Sequence, residues 1–249
     1  MTIPHHADAL SGTWNFRDIG GIPTSHGPVR GGLVFRSAVL SQLDPEGQSR
    51  LASFGVTDVF DLRGPLEIAR DGADRVPATV RVTVAPFHPE EGEALVHEVQ
   101  EDAGPRTQEE RVRAYYGAIP TLAPSQQSVA TILRTVADGS GSVLVHCAAG
   151  KDRTGWTIAT LLTAVGAHRD DVLADYLLSN AAIESLRVWM QAQYGDAFLA
   201  DEGVLGVHPG YLQAAWDSVE QNFGSFRGYL DVIGVDDVLV RRLRERLVG

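Results

Sequence analysis

One segment of the chain, residues 146–155, carries the residue types best suited to chemistry, and it reads HCAAGKDRTG. Its cysteine, Cys147, is the only one in the chain, and Arg153 follows it six positions later. The residues between them are enough for the backbone to curl into a bowl whose N–H groups point inward, which is a binding site for a tetrahedral oxyanion. Arg153 is expected to close the rim by donating two parallel hydrogen bonds to phosphate oxygens.

The same bowl would activate the sulfur of Cys147. A helix N-terminus, inward N–H groups and a nearby cation all favour a thiolate, which is the nucleophilic form, and place it to attack phosphorus. Thr154 is expected to donate to the sulfur when it leaves, and His146 to order the loop through hydrogen bonds to backbone. The residues predicted to bind the substrate are Ala148, Ala149, Gly150, Lys151, Asp152, Arg153 and Thr154. The alternative is a buried, inert cysteine, but three charged residues within six positions do not suit an apolar core.

The elements around this segment predict an α/β fold. Short apolar or alternating stretches, read as strands, occupy residues 33–37, 56–63, 81–87 and 143–146. Helices are expected at 126–137 and, in a shorter form, from the cap at Asp44-Pro45 to Gly55. Strands that alternate with helices favour a mostly parallel central sheet flanked by helices. In such sheets ligands bind beyond the carboxyl ends of the strands, which is where Cys147 follows the strand at 143–146.

The last hundred residues carry only helical patterns. Helices are predicted over 154–166, 169–178, 180–194, 211–222 and 236–247. We interpret the chain, residues 1–249, as a single domain in which the helical extension at about 168–225 could close over the pocket as a lid. Gly203, Gly206 and Gly210 would supply its hinge. The alternative is that these helices only extend the core. The acidic stretch at 88–110 is interpreted as a surface segment.

Composition limits the classes of function. The chain has 249 residues and a formal net charge of −11, which argues against a general nucleic-acid binder. Its single cysteine rules out an intrachain disulfide. No signal peptide or membrane-spanning stretch is visible, so we expect a soluble, cytoplasmic protein without stable membrane insertion, and secretion by a route that needs no signal stays open. The histidines lack metal-ligand spacing, so neither a metal nor another cofactor is expected. The sequence does not indicate the oligomeric state.

Several motifs together make the chain recognisable. The pattern His-Cys-x5-Arg-Thr resembles the signature loop of cysteine-dependent protein tyrosine phosphatases, and the form HCAAGKDRTG resembles that of their atypical bacterial branch. Segments similar to this branch follow one another along nearly the whole chain: NFRDIGG at 15–21, FRS at 35–37, DVFDLRGPLE at 58–67, ADYLLSN at 174–180 and GSFRGYL at 224–230. Ala148 is smaller than the residue expected there in mycobacterial members, which leaves the substrate preference open.

The resemblance implies a phosphatase that works through a phosphocysteine intermediate. The substrates expected are phosphotyrosine and also phosphoserine, phosphothreonine or phosphoinositide monoesters, so the partner is a phosphorylated protein or a phosphoinositide. In this family a lysine at the position of Lys151 is associated with tolerance for phosphoinositides as substrates. The alternative is that Lys151 lies at the rim of the pocket, faces solvent and pairs with Asp152. Two other functions are weighed: a phosphatase that prefers phosphoinositide lipids, and a phosphate-binding pseudophosphatase that holds a phosphorylated partner without turnover.

The proton donor has two candidates. Expelling a basic phenolate requires a general acid, and the chain lacks the Trp-Pro-Asp tripeptide that supplies it in common tyrosine phosphatases. Asp61, at the end of a predicted strand, resembles the acid of the family, and Asp152 lies inside the loop itself. The alternative role for Asp61 is an ion pair with Arg63, and for Asp152 a salt bridge that braces the loop.

Overall fold

The computed structural model describes residues 10–88, 107–194 and 205–248. The strands in these ranges are β1 (Arg17–Asp18), β2 (Pro23–Thr24), β3 (Gly27–Pro28), β4 (Val34–Ser37), β5 (Val56–Asp61), β6 (Arg81–Val84) and β7 (Ser142–His146). Five of them form one sheet in the order β1-β4-β7-β5-β6, and β2 pairs with β3. Within the five-stranded sheet β4, β7, β5 and β6 run parallel and only β1 is antiparallel to its neighbour, and the separate pair of β2 and β3 is antiparallel. The predicted mostly parallel sheet is therefore confirmed.

The helices in the same ranges surround this sheet. They are α1 (Pro45–Ser53), α2 (Pro65–Asp71), α3 (Gln108–Ala118), α4 (Ala123–Asp138), α5 (Asp152–Val165), α6 (Arg169–Leu177), α7 (Ile183–Tyr194), α8 (Pro209–Phe223), α9 (Phe226–Val232) and α10 (Asp237–Leu247). None of the helices in these ranges is long and apolar enough to cross a membrane.

The local sequence rules account for most of these elements. Helix α1 begins as its sequence indicates, because the side chain of Asp44 accepts a hydrogen bond from the N–H of Gly47 and Pro45 fills the first helical position. Helices α2, α3 and α9 were not predicted. Helix α3 begins within the stretch interpreted as an acidic surface segment, and Thr107 caps it. The rest of that segment, 89–106, lies outside the described residues.

Apolar side chains fill both faces of the sheet. Helix α5 is almost wholly buried, and its Trp156 lies in the large cluster that also holds residues of α4, α8 and α10. On the opposite face, Phe16, Phe35 and Phe54 stack on one another beside α1. Helix α8 packs along α3, and α10 packs along α4 and α5. These C-terminal helices therefore extend the core, whereas α7 contacts the loop that follows β7.

Candidate active site

The loop with Cys147 begins where the central strand of the sheet ends. Strand β7 lies between β4 and β5, so that His146 pairs with Ser37 on one side and Asp61 on the other. The chain then turns through residues 147–151 into α5, and Cys147 is only 2% exposed. The expected position, at the carboxyl end of a central parallel strand and before a helix N-terminus, is the one found.

Two side chains from the N-terminal segment hold the outer side of this loop. The amide Nδ2 of Asn15 donates to the carbonyl oxygens of Ala149 and Gly150, at 3.1 and 3.0 Å. The guanidinium of Arg36 donates to the same Gly150 carbonyl at 2.8 Å. Because these carbonyls are drawn outward, the peptide units between them are turned so that their N–H groups can face the centre of the bowl.

Gly150 can be no other residue in this conformation. Its φ of +67° lies in the left-handed region, and a Cβ built there would lie 2.1 Å from the carbonyl oxygen of Ser37. Asn15 also has a positive φ, 53°, which is unusual without glycine. Its side-chain oxygen accepts a hydrogen bond from Nη1 of Arg17 at 2.6 Å, which fixes the amide that holds the loop.

A buried carboxylate connects the two arginines behind the loop. Asp175 of α6 accepts from Nε of Arg17 at 2.8 Å and from Nη1 of Arg36 at 2.6 Å. Burial would raise the pKa of Asp175, but the charges of both arginines hold it below its usual value. Burial, followed by the charge of Arg17, lowers the pKa of Arg36 to about 10. Arg36 therefore braces the loop directly through the Gly150 carbonyl, and Arg17 braces it through Asn15.

Arg153 is oriented by Glu67. Its Nη1 and Nη2 donate to the two carboxylate oxygens of Glu67 at 2.6 and 2.8 Å, and Nη1 also donates to the carbonyl of Leu62 at 3.1 Å. Burial would raise the pKa of Glu67, but the charge and hydrogen bonds of Arg153 lower it. Of the five N–H groups of the guanidinium, the described residues leave one on Nε and one on Nη2, and both lie on the same edge of the fork. That edge can bind two oxygens of one phosphate.

Asp61 lies in an ion pair with Arg63. Nε and Nη2 of Arg63 donate to its two carboxylate oxygens at 2.9 and 2.7 Å, and the backbone N–H of Arg63 donates at 3.0 Å. Asp61 is 2% exposed. The pairing with Arg63 that the sequence offered as the alternative role of Asp61 is therefore present.

His146 is held between two acceptors. Its Nε2 lies 2.8 Å from Oδ2 of Asp74, and its Nδ1 lies 3.2 Å from the carbonyl oxygen of Cys147. An acceptor at each ring nitrogen favours the doubly protonated imidazolium. Burial would lower the pKa of His146, but the nearby carboxylates of Asp61 and Asp74 raise it. The backbone hydrogen bond expected of His146 is present.

Asp61, Asp74 and His146 are also the described residues that come closest to a metal site. One ligand atom from each lies within 4.8 Å of the others. However, Arg63 donates to both carboxylates, at 2.7 Å to Asp61 and 3.0 Å to Asp74. The guanidinium of Arg63 therefore already supplies positive charge to this cluster.

Asp152 and Lys151 lie together in the first turn of α5. The ammonium of Lys151 is 3.1 Å from Oδ2 of Asp152, and it also donates to the carbonyl of Gly206 at 3.3 Å. Asp152 accepts a further hydrogen bond from the hydroxyl of Tyr116 at 2.8 Å. The pairing of Lys151 with Asp152 is confirmed, but the solvent-facing position considered for this lysine is wrong, because its side chain is 3% exposed.

The remaining predicted site residues also lie at the loop. Thr154 is fully buried, and its hydroxyl has no hydrogen-bond partner among the described residues, so it is available to a group entering the bowl. Ala148 and Ala149 line the side of the loop that faces α7. Their small side chains allow this close packing.

Helix α7 covers the loop with apolar side chains. Leu186, Trp189 and Met190 of α7 pack against the two alanines together with Leu205, and Trp14 contacts Trp189 with ring centroids 5.7 Å apart. The segment at 205–207 is held in turn by Asn180, whose side chain exchanges two hydrogen bonds with the backbone of Val207. Of the three proposed hinge glycines, Gly206 and Gly210 belong to the described residues, and Gly203 lies outside them.

Several residues of the site were not singled out from the sequence as site residues. These are Asn15, Glu67, Asp74, Asp175 and Tyr176. Four of them lie within the motifs NFRDIGG, DVFDLRGPLE and ADYLLSN, so their presence in these motifs was the available signal for Asn15, Glu67, Asp175 and Tyr176. Asp74 lies in no motif, and it could be found only from the fold.

Comparison with known proteins agrees with this geometry. Residues 9–249 match the model of a family described as the tyrosine phosphatase family. The chain is 36% identical over 279 residues to the triple specificity protein phosphatase PtpB of Mycobacterium tuberculosis, covering 96% of this chain and 98% of that protein. It is 30% identical over 240 residues to a protein of Cupriavidus necator named provisionally as a tyrosine-protein phosphatase, covering 91% of this chain and 84% of that protein.

Proposed function

Because the chain belongs to the tyrosine phosphatase family, we propose that it hydrolyses phosphotyrosine through a phosphocysteine intermediate on Cys147. The observation that carries this proposal is the orientation of Arg153. Glu67 and Leu62 take up Nη1 and one N–H of Nη2, which leaves the edge formed by Nε and Nη2, and Arg153 is near enough to Cys147 for the two groups to interact electrostatically. A phosphate bound by that edge and by the N–H groups of residues 148–153 would present its phosphorus to the sulfur.

The reaction would proceed in two displacements. In the first, the thiolate of Cys147 forms a bond to phosphorus while the bond from phosphorus to the tyrosine oxygen breaks, and the general acid gives that oxygen a proton. In the second, a water molecule gives its proton to the same carboxylate and attacks phosphorus, which releases inorganic phosphate and returns the thiolate. The imidazolium of His146 and the buried hydroxyl of Thr154 support the sulfur as an anion in both steps.

We assign the general acid to Asp152 rather than Asp61. Asp61 accepts four hydrogen bonds from Arg63, and together they occupy both of the carboxylate oxygens, one of which would have to carry the proton. Asp152 is part of the loop itself, five residues after the nucleophile and next to Arg153. It becomes easier to protonate when the phosphate dianion brings negative charge to the loop.

A range of substrates beyond phosphotyrosine is part of the proposal. The relative PtpB is named a triple specificity phosphatase, and phosphoserine, phosphothreonine and phosphoinositide monoesters are the further substrates proposed here. Lys151 would contact an additional phosphate only after leaving the carbonyl of Gly206, so phosphoinositide hydrolysis should require displacement of that segment. Side-by-side rates on a phosphotyrosine peptide, a phosphoserine peptide and a phosphoinositide measure this range.

Access to the loop also requires movement of its cover. Cys147 is 2% exposed, and Trp189 and Met190 of α7 pack on the loop beside it, so a phosphorylated side chain cannot reach the sulfur in this conformation. We propose that α7 acts as the lid, while α8 and α10 stay packed on the core.

The decisive experiment is turnover of p-nitrophenyl phosphate by the full chain and by Cys147→Ser. The variant should lose turnover and keep phosphate binding, because a hydroxyl replaces the thiolate while the loop and Arg153 are unchanged. Retention of a tenth of the activity would refute covalent catalysis through sulfur. Binding of phosphate without turnover by the unaltered chain would instead indicate a pseudophosphatase.

A further inference from the structure

Two buried tyrosines extend from Asp152 into the protein as a chain of hydrogen bonds. The hydroxyl of Tyr116, on α3, donates to Oδ1 of Asp152 at 2.8 Å, and the hydroxyl of Tyr176, on α6, donates to the oxygen of Tyr116 at 2.6 Å. When Asp152 is ionised its carboxylate can only accept, which fixes the direction of both bonds in that state. Tyr116 is fully buried and Tyr176 is 1% exposed, so solvent does not compete for either hydroxyl.

The surroundings keep both phenols protonated. Burial, followed by the negative charge of Asp152, raises the pKa of Tyr116 and of Tyr176 well above the usual value. The ring of Tyr211, on α8, stacks on Tyr116 with centroids 5.7 Å apart. The phenols therefore stay hydrogen-bond donors throughout the pH range in which a phosphatase is assayed.

Among the described residues, the other charged and titratable groups near Asp152 come from its own element, from α3 and from β4. Lys151 and Arg153 flank it on its own element, and the ammonium of Lys151 is 3.1 Å away. From α3, Tyr115 interacts electrostatically with both Asp152 and Arg153. Arg36, on β4, interacts electrostatically with Tyr176 and so lies behind the tyrosine chain. The cationic neighbours would be present with or without the tyrosine hydroxyls.

We infer that Tyr116 and Tyr176 are positioning residues that orient the carboxyl group of Asp152 and set the pH above which it no longer supplies a proton. This inference rests on the proposed role of Asp152 as general acid. A hydrogen bond donated to a carboxylate favours its charged form. Tyr176 strengthens the bond from Tyr116 to Asp152, because a hydrogen bond donated to the Tyr116 oxygen makes the Tyr116 hydroxyl a better donor.

The inference makes an ordered prediction for two conservative variants. Tyr116→Phe removes the direct donor, so Asp152 should hold its proton to higher pH, and the basic limb of kcat/KM should move upward by about one pH unit. Tyr176→Phe removes only the second bond of the chain and should move the limb in the same direction by less. A residue that only fills space would change stability and leave the limb in place.

The experiment compares pH profiles of kcat/KM for p-nitrophenyl phosphate and phenyl phosphate. Tyr229→Phe is the matched control, because Tyr229 is also fully buried but its ring packs against Trp156, Phe223 and Phe226 instead of binding Asp152. It should leave the basic limb unmoved. Thermal melts of all variants show that the fold is kept, and Tyr176→Phe provides the measurement if Tyr116→Phe does not fold.

Asp152→Asn separates the two levels of the argument. If this variant loses the basic limb and Tyr116→Phe moves it upward, the inference is supported. If Asp152→Asn loses the limb but both tyrosine variants keep the limb of the unaltered enzyme, the tyrosines are structural and only the inference fails. A basic limb that survives in Asp152→Asn overturns the assignment of the acid and the inference together.

Discussion

The ion pair between Glu67 and Arg153 provides the sharpest test of how the site is built. Both side chains are nearly buried, at 7% and 6% exposed, and two hydrogen bonds join them. Glu67→Gln keeps the shape of the side chain but removes its charge, so the guanidinium is left buried without a counterion. Loss of one partner of a buried pair costs about 3 kcal/mol. For a chain of this length, that corresponds to a melting temperature lower by roughly 6–12 °C.

The same substitution should reduce catalysis. Without the second carboxylate oxygen, the guanidinium is free to rotate, and the edge that binds phosphate is no longer fixed. A misplacement of this kind lowers kcat/KM by about 100-fold. Turnover of p-nitrophenyl phosphate and urea unfolding at neutral pH measure the two effects on the same preparation.

Glu46→Gln is the matched control for this experiment. Glu46 also lies in the first turn of a helix, α1, but it is exposed. Glu46→Gln should lower the free energy of unfolding by no more than the contribution of a surface charge at a helix N-terminus, about 0.5 kcal/mol. If Glu67→Gln were no more destabilised than Glu46→Gln and kept its kcat/KM, Glu67 would not orient Arg153.

Three further predictions follow from the site. Arg153→Lys should be nearly as inactive as Arg153→Ala, because a point charge cannot replace a planar fork on two oxygens, and a kcat close to that of the unaltered enzyme would contradict this. Trp189→Ala should speed inactivation of Cys147 by peroxide, whereas Val188→Ala, at a 58% exposed position of the same helix, should not; equal rates would exclude α7 as the cover. Asp74→Asn should be less stable in urea than the unaltered chain, because it breaks the pair with His146. Folding lowers the pKa of Asp74 and raises that of His146. The loss of stability in Asp74→Asn should therefore be largest between about pH 4 and 6.5, and it should shrink as pH rises through the folded pKa of His146. A loss of stability that is independent of pH would contradict a protonated His146.

The sequence predicts well those features that depend on neighbouring residues. The apolar strand β7, the capped helix α1 and the loop from Cys147 to Arg153 are each encoded within a short stretch. The parallel order of the strands follows from their alternation with helices. The position of the loop at the carboxyl end of the sheet could therefore be predicted before the structure.

The partners of the site residues could not be predicted in this way. Glu67 lies 86 residues before Arg153, and Asn15 lies 134 residues before the Ala149 carbonyl that it holds. Such pairs are brought together only by the order of strands in the sheet, which short-range patterns do not encode. The solvent-facing alternative for Lys151 is wrong for the same reason, because the carbonyl of Gly206 that it binds comes from a distant part of the chain.

The two sides of the loop are held by different kinds of interaction, and this difference explains how one side can open. On the outer side, the amide of Asn15 and the guanidinium of Arg36 donate to the loop carbonyls, and Arg36 is paired with the buried carboxylate of Asp175, so breaking these contacts would leave buried polar or charged groups without partners. On the side of α7, the contacts are almost entirely apolar. Apolar surfaces separate and close again without unpaired charges, so the cover can leave while the anion-binding loop keeps its shape. The bond from Lys151 to Gly206 is the polar exception, and it joins the opening of the cover to the release of a cation beside the phosphate.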